Sequence, residues 1–401
     1  MKLLAACMFV TASFSALAQN WNLTEASVYC NWQSIAASSD AGKLAAAAFD
    51  DGYGDGGPIY TSTNFGELWS LAEAPTNVGW QTIACSSNGL QLLAADNEDL
   101  NGNPGILYTS TNSGKTWKSA LTPFNYWACV ASSATGSRLL AADSGMGDGL
   151  IYMSTNIGKT WTPTTASSDF WASICSSANG TILAAADSGY GDGMIYTSSN
   201  SGTSWTPTTA PINQWTSIAS SSNGLQLIAA NSGYGDCLIY ISTNAGFSWT
   251  PTIAPSNQWA SVASSADGSQ LFAADSGYGD GLIYTSTDSG NTWTPTAAPV
   301  GYWTSVKSSA DGSRIAAASN PGGIYTWQSP PVLKIAPSAR NILISWQALS
   351  SATGFVLQNI SDLTLTDWTT LTNKPVLTNT TYQVVLPLSA AANHFYRLLN
   401  P

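Results

Sequence analysis

Residues 242–249 read Ser-Thr-Asn-Ala-Gly-Phe-Ser-Trp, and close copies of this stretch occur six times in the chain. The first two copies are 48 residues apart and the others 44; they end at Trp69, Trp117, Trp161, Trp205, Trp249 and Trp293. A nearly constant period of this length is typical of repeat architectures. Each repeat holds four short β-prone runs separated by Gly, Asp, Asn and Pro, which predicts successive hairpins and hence the four-stranded blades of a β-propeller.

A second tryptophan series begins the first strand of each repeat and predicts seven blades: Trp32, Trp80, Trp127, Trp171, Trp215, Trp259 and Trp303. The seventh repeat lacks its outer strand, whereas residues 21–27 resemble such a strand at the opposite end of the chain. We therefore expect the N-terminal strand to complete blade seven, which would remove an exposed sheet edge. After Pro331 the period ends, and several short β-prone runs predict a small β-sandwich over residues 331–401.

The eight-residue motif resembles the Asp-box, or bacterial neuraminidase repeat, of sialidases and related propeller proteins. The resemblance covers roughly residues 21–330, and residues 331–401 look like a fibronectin type III domain. The Asp-box resemblance implies an all-β, seven-bladed propeller over residues 19–330, in which the motif forms a structural hairpin between strands three and four of each blade. The side chains assigned this structural role are Asn64, Asn112, Asn156, Asn200, Asn244 and Asp288. Each can bond its own turn, and the Gly two residues later can take positive φ.

Composition limits the partners and the location. The chain has 401 residues, 12 Lys plus Arg and a net charge of −11, so it lacks the clustered cations that bind nucleic acid.

Residues 1–18 carry one cation, an apolar run and an Ala-x-Ala end, which predict a cleaved signal peptide and a secreted protein. No later segment is apolar over the length that a membrane helix needs. Five cysteines follow the signal peptide without a disulfide or metal spacing, and we interpret them as buried apolar side chains.

An enzymatic role of sialidase type would need three arginines on the substrate carboxylate, a Tyr–Glu nucleophile pair and an acidic Asp, as the resemblance implies. After residue 18 the sequence holds four arginines, and two of them, Arg340 and Arg397, belong to the C-terminal segment. No glutamate stands on a predicted inner strand beside a tyrosine, and the single histidine, His394, excludes a Ser-His-Asp triad within blades. A glycoside hydrolase using paired aspartates stays open as the alternative.

The loops between strands two and three carry the candidate ligand-binding residues. In a four-stranded meander these loops lie at the end opposite the Asp-box hairpins, which is the substrate face in Asp-box enzymes. The candidates are Tyr53, Asp55, Asp143, Asp148, Asp187, Tyr190, Asp192, Tyr234, Asp236, Asp275, Tyr278 and Asp280.

Three interpretations compete for these loops. In the first, the residues simply form ordinary hairpin turns. In the second, the tyrosine rings and carboxylates bind sugars. In the third, the clustered oxygen atoms bind Ca²⁺, which is the one cofactor that the sequence suggests. The inner Trp series enters from the same face, either as packing between blades or as a platform for a ligand. The family also includes photosystem assembly propellers, and nothing in the sequence singles out that role.

Together these features predict a secreted, monomeric and non-catalytic binding or adhesion propeller that recognises a glycan or a cell-surface protein.

Overall fold

The fold was analysed in a computed structural model, which describes residues 21–26, 28–52, 56–99, 102–189, 192–233, 237–329, 333–338, 341–347, 355–362, 364–378, 381–387 and 394–399. The predicted signal peptide, residues 1–18, lies outside the described residues. The chain divides into two compact units, one ending at Gln328 and the other beginning at Ser329. No helix among the described residues has the length and apolar character needed to cross a membrane.

Within the first unit, the described residues form seven four-stranded antiparallel sheets, numbered here in chain order. The first strand of each sheet is called the inner strand. Sheet 1 comprises Trp32–Ala37, Leu44–Ala48, Ile59–Ser62 and Ser70–Leu71; sheet 2 Val78–Cys85, Leu92–Asp99, Leu107–Ser110 and Lys118–Ser119; sheet 3 Trp127–Ser132, Leu139–Asp143, Ile151–Ser154 and Thr162–Pro163; sheet 4 Trp171–Ser176, Leu183–Asp187, Ile195–Ser198 and Thr206–Pro207.

The remaining sheets repeat the same order of strands. Sheet 5 comprises Trp215–Ser220, Leu227–Asn231, Ile239–Ser242 and Thr250–Pro251; sheet 6 Trp259–Ser264, Leu271–Asp275, Ile283–Ser286 and Thr294–Pro295; sheet 7 Trp303–Ser308, Arg314–Ser319, Gly323–Gln328 and the N-terminal Asn22–Leu23. A short 3-10 turn, Gly277–Gly279, follows the second strand of sheet 6.

The N-terminal strand supplies the outer strand of sheet 7. Asn22 pairs with Thr326 and Leu23 with Tyr325, and the Trp21 ring lies 6.1 Å from that of Trp303. The edge of sheet 7 is therefore covered by the opposite end of the chain, as the sequence predicts. In sheets 3 to 6 the outer strand is only two residues long and ends in proline, which has no N–H to offer an incoming strand.

The inner strands follow one another around a closed ring. Each contacts the inner strand of the next sheet, and that of sheet 7 contacts that of sheet 1. The turns after the inner strands are joined by seven backbone hydrogen bonds, N···O 2.6–2.8 Å, that form a complete cycle through Ser39, Ser87, Ala134, Ala178, Ser222, Ala266 and Ala310. Ala310 donates to Ser39, so the cycle has no free end.

Apolar packing between neighbouring sheets forms the core. The second strands are rich in alanine and fully buried, which lets adjacent sheets approach closely. Between sheets 4 and 5, for example, Trp215 and Ile218 pack on Ala184, Ala186 and Ile195. All seven inner tryptophans are at most 1% exposed. Their burial identifies them as packing residues and removes the alternative that they form a platform for a ligand.

The second unit holds two further sheets, and its core lies between them. One contains Lys334–Ser338, Asn341–Gln347, Thr381–Pro387 and Val376–Thr378; the other contains Thr369–Thr370, Val356–Ile360 and Phe395–Leu399. Ile344, Trp346 and Val384 of the first sheet pack with Leu357 and Leu398 of the second. The described part of the second unit is therefore two-layered β-structure.

Candidate ligand-binding face

Antiparallel connections give the ring two ends of different construction. One end, here the hairpin face, holds the turns between strands one and two and between strands three and four; Ser201 N–H bonds Thr181 O (2.9 Å) across two such turns. The other end, here the loop face, holds the loops between strands two and three and the links to the next sheet. A bridge between Gly193 and Asn213 joins a loop to a link on this face.

On the hairpin face, the repeated Ser and Asn or Asp side chains form hydrogen bonds within their own turns. In sheet 3, Ser154 Oγ donates to Asn156 Oδ1 (3.0 Å) and accepts the Gly158 N–H (2.9 Å), while Asn156 Oδ1 also accepts the Thr160 N–H (2.9 Å). The oxygens that accept the N–H four residues later, at 2.8–3.0 Å, belong to Asn64, Asn112, Asn156, Asn200, Asn244 and Asp288.

Positive φ at this hairpin extends over two residues, one more than the sequence suggests. Gly158 has φ 78°, as the motif predicts, but Ile157 before it has φ 62°. A β-branched residue rarely adopts this conformation. The same pair of conformations recurs in the other five hairpins, so the turn geometry is common to all copies and is held by the Ser and Asn or Asp bonds.

On the loop face, the first acids of the loops of sheets 3, 4 and 6 are buried and support the loop backbone. Asp143, Asp187 and Asp275 end the second strands of their sheets and are 0%, 4% and 8% exposed. Their Oδ1 atoms accept the N–H of the Gly two residues later, at 2.6, 2.8 and 3.0 Å respectively. These three candidates therefore shape the loops, and their carboxyl groups are largely withdrawn from solvent.

Burial also changes their ionisation, because a carboxylate loses hydration inside the protein. It raises the pKa of Asp143 and of Asp275 above the ordinary value, with the nearby second acid adding to the rise in each case. For Asp187, burial is again the largest cause, and a hydrogen bond and like charge from Asp169 help to raise the pKa to about 7.

The second acids of the loops of sheets 3, 4 and 6 are exposed instead. Asp148, Asp192 and Asp280 all reach solvent. Asp148 is tied to its surroundings, because Asn125 Nδ2 donates to its Oδ1 (2.8 Å) and Tyr152 donates its hydroxyl to Oδ2. The candidates Tyr53, Asp55, Tyr190, Tyr234 and Asp236 lie outside the described residues; of Tyr278 only the backbone, within the 3-10 turn, is described.

Both acids of sheet 6 line a cavity of about 420 Å³ on the loop face. Its lining also includes Asn257 and Gln258, from the link between sheets 5 and 6, and Tyr284. The Tyr284 ring stands edge-on to Trp259 at 5.5 Å, so it is held by the core. The cavity therefore brings together two acidic and two amide residues, whose side chains supply hydrogen-bond acceptors and donors.

The links to the next sheet are expected from the topology to share this face, but the candidate residues chosen from the sequence come only from the loops. Asn257 and Gln258 precede the inner Trp259 directly, and the equivalent segments of other sheets expose apolar side chains. Phe124 is 72% exposed, Ile212 63% and Val300 64%, each three residues before an inner tryptophan. The signal was available in the sequence, because the inner tryptophans fix which residues precede the inner strands on the loop face.

A metal site is not apparent in the described part of the chain, where no three His, Cys, Asp or Glu side chains are grouped to hold an ion. Five of the predicted ligand residues lie outside that part, so calcium binding stays a prediction.

Comparisons with solved structures show the fold. A chain in the structure described as YCF48 bound to D1 peptide aligns with 78% of this chain and 96% of its own length, at 13% identity and a TM-score of 0.57. YCF48 from Cyanidioschyzon merolae aligns with 77% of this chain and 98% of its own, at 16% identity and a TM-score of 0.57. A chain of the Mitotic Checkpoint Complex aligns with 82% and 98%, at 13% identity and a TM-score of 0.59.

The fold is that of a β-propeller. At 13–16% identity the likeness extends to the fold alone. No protein-family model matches the sequence, and no curated protein matches it.

Proposed function

We propose that this protein is a secreted, non-catalytic binding module: a seven-bladed propeller of Asp-box type that recognises a glycan or a cell-surface partner through its loop face. The cavity between sheets 5 and 6 carries the proposal. Its volume, about 420 Å³, falls within the roughly 300–1,000 Å³ typical of small-ligand pockets.

The chemistry of the cavity suits a polyhydroxyl ligand. The Asp280 carboxylate offers acceptors for sugar hydroxyl hydrogens, and the amides of Asn257 and Gln258 offer both donors and acceptors. Tyr284 adds an aromatic group against which sugar C–H surfaces pack. A ligand held by these groups needs no reacting centre, which suits an adhesion module.

The alternative is a glycoside hydrolase that uses paired aspartates, and burial weighs against it. A general acid must reach the glycosidic oxygen. The carboxyl group best suited by its pKa of about 7, that of Asp187, is 4% exposed and already accepts the Gly189 N–H. The remaining pair in the cavity is Asp275 with Asp280. Hydrolysis by that pair predicts turnover that disappears in Asp275→Asn.

A protein partner is the second candidate, because one of the similar propellers is described as bound to a peptide. Exposed apolar side chains at Phe124, Ile212 and Val300 on the links favour it, since apolar groups at such positions contribute to protein interfaces. In that case the ligand spans several sheets and the cavity is one contact among many.

Several finer features belong to the same proposal. The seven sheets, the closed cycle of backbone bonds and the hairpin hydrogen bonds support a seven-bladed Asp-box ring closed by the N-terminal strand. The two sheets after Ser329 support a fibronectin type III-like sandwich. The proposal of secretion rests on the signal-peptide pattern of residues 1–18. The proposal of a monomer rests on the sequence alone, and that of calcium binding rests on the composition of the loops alone.

The test is a glycan array probed with the protein lacking residues 1–18. Wild type is compared with Asp280→Asn, which removes one charge from the cavity, and with Asp288→Asn, which removes one charge from the hairpin face. We expect Asp280→Asn to lose most of the signal and Asp288→Asn to keep it. Equal signals from the two variants would exclude the cavity as the glycan site, and an array without signal would favour the protein partner.

A further inference from the structure

Three consecutive sheets, 4, 5 and 6, carry negative charge without any positive charge. Between Lys159 and Lys307 the sequence contains no Lys, Arg or His, whereas it contains eight Asp. Two of them, Asp267 and Asp288, belong to turns of the hairpin face, and the other six belong to loops and links of the opposite end. A surface of one charge sign attracts ligands of the opposite sign. The loop face of these sheets is therefore suited to a cationic ligand.

The cavity between sheets 5 and 6 lies within this part of the loop face, and two carboxylates meet at its wall. A Cβ placed on Gly277 would lie 3.0 Å from Asp280 Oδ1 and 3.3 Å from Asp275 Oδ2. Gly277 and both acids line the cavity. The two carboxylates therefore converge on one part of the lining, where glycine leaves room beside them.

The same arrangement recurs in sheet 4. A Cβ placed on Gly189 would lie 2.7 Å from Asp192 Oδ1 and 3.0 Å from Asp187 Oδ2. The convergence of a first and a second acid on the glycine between them is thus a property of this loop type and is not confined to one sheet.

The paired carboxylates of sheet 6 disfavour each other's charge. Burial is the largest cause of the raised pKa of Asp275, and the like charge of Asp280 adds to the rise. A cation placed between two carboxylates has the opposite effect on both, because it favours their ionised forms. An anionic ligand would add a further like charge. A sugar that carries a carboxylate or a sulfate is therefore excluded from this cavity on electrostatic grounds.

The lining of the cavity is held together by hydrogen bonds between the loop and the link. The N–H and the hydroxyl of Ser276 both donate to Gln258 O, at 2.9 and 3.0 Å. On the side of sheet 5, Trp259 Nε1 donates to Cys237 O at 2.9 Å. The acids of the loop and the amide residues of the link are thus held beside each other before a ligand arrives, which lowers the entropic cost of binding.

A protonated primary amine has the chemistry that this lining requires. It offers three hydrogen-bond donors and no acceptor, and its hydrogen bonds to carboxylates are charge-assisted. Tyr284 adds an aromatic ring, which attracts a nearby cation.

The two amide residues favour an amine on a sugar over the amine of a lysine side chain. A lysine stem consists of methylene groups, so it would leave the amides of Asn257 and Gln258 without partners when it displaced water, and such desolvated groups are costly. A sugar carries hydroxyl groups next to its amine, and these can both donate to and accept from an amide.

We propose that the cavity between sheets 5 and 6 selects a glycan with free, protonated amino groups, the carboxylates of Asp275 and Asp280 binding one ammonium and the two amide residues binding neighbouring hydroxyls. This inference rests on the function proposed above and narrows its ligand to amino sugars that are not acetylated.

The test compares two tetrasaccharides of equal length, one of glucosamine and one of N-acetylglucosamine, which differ only in the acetyl groups on nitrogen. Binding to the protein lacking residues 1–18 is measured by isothermal titration calorimetry at pH 6 in the presence of EDTA, which prevents bridging by divalent cations. We expect the glucosamine tetramer to bind at least about tenfold more tightly, since charge-assisted hydrogen bonds replace neutral ones. Added NaCl should weaken this binding, because salt screens exposed charges.

Two variants of equal charge change locate the preference. Asp280→Asn removes one carboxylate from the cavity and should abolish the preference for the free amine, and the exposure of Asp280 makes a folding defect unexpected. Asp288→Asn removes one carboxylate from the hairpin face and should retain the preference. A tetralysine peptide, which has the same number of side-chain amines without sugar hydroxyls, should bind more weakly than the glucosamine tetramer.

The outcomes separate this inference from the function on which it rests. Equal or tighter binding of the N-acetylated tetramer would overturn the inference and leave a glycan-binding cavity standing. Equal binding of tetralysine would also overturn it, because the cavity would then recognise charge alone. If neither tetrasaccharide binds, the inference is wrong, and the glycan array decides whether the proposed function fails with it.

Discussion

The hairpin face and the loop face are built on the same seven sheets, yet their side chains are used differently. On the hairpin face, six turns repeat one set of hydrogen bonds, and the Gly N–H to Ser Oγ distance varies only between 2.8 and 2.9 Å. On the loop face, the residue paired with the inner tryptophan changes from sheet to sheet: Ala48, Asp96, Asp143, Asp187, Asn231, Asp275 and Ser319.

This difference indicates where the fold constrains the sequence. A hairpin that leaves its buried Gly N–H unpaired loses stability, so Ser and Asn or Asp recur at every copy. The loops accept several residues at the same point, and their second acids and links reach solvent. A surface that varies while its scaffold repeats is suited to recognise a ligand.

The largest effect on stability should come from the hairpin face. Ser198 is 2% exposed, and its Oγ accepts the Gly202 N–H (2.9 Å), so Ser198→Ala leaves that buried group unpaired. We expect a loss of about 1–3 kcal/mol in the free energy of unfolding, measured by urea denaturation. Asp192→Ala on the loop face should stay within about 0.5 kcal/mol of wild type. A loss of unfolding free energy from Asp192→Ala that is larger than the loss from Ser198→Ala would contradict this comparison of the two faces.

Much of this contrast could be predicted from the sequence. The motif spacing gave the hairpins, and the tryptophan series gave the sheets and the covering of sheet 7 by residues near Trp21. The separate uses of the two acids in each loop could not be predicted from composition, because Asp187 and Asp192 look alike in the sequence. Register decides between them: Asp187 pairs with the buried Trp171, whereas Asp192 lies beyond the strand.

The contribution of Asn257 and Gln258 to the cavity was missed for a related reason, because it depends on which link meets which loop.

A pH-dependent effect should be seen on the loop face. The folded-state pKa of Asp187, about 7, is above its ordinary value of 3.8, so the folded protein retains a proton that the unfolded chain has released. Stability contributed at this site therefore falls as pH rises from about 4 to 7.

Asp187→Asn should remove that decline, since sheet 5 already carries Asn231 at the equivalent position. The measurement is the melting temperature of both proteins at pH 4.5, 6 and 8. We expect the variant to gain relative to wild type as pH rises; a constant difference across the three values would contradict the raised pKa.

The smallest effect should come from Asp288→Asn, which makes the hairpin of sheet 6 match the other five. Hydrogen bonds from Thr292 and Ser286 lower the pKa of Asp288, so its stabilising contribution is present above pH 3.8 and is lost as pH falls through the lowered value. We expect a slight decrease in melting temperature at pH 7, and this decrease should become smaller as pH falls below 3.8. A large decrease at pH 7 would show that the hairpins are not interchangeable.

The most direct test of the account is to block each face separately with one bulky side chain. Ser256→Trp places a bulky side chain at an exposed lining position of the cavity on the loop face, and Ser248→Trp places the same side chain on an exposed position of the hairpin face. On the glycan array, the account predicts that Ser256→Trp loses the glycans bound by wild type and that Ser248→Trp retains them. Retained binding by Ser256→Trp together with loss by Ser248→Trp would contradict the assignment of ligand recognition to the loop face.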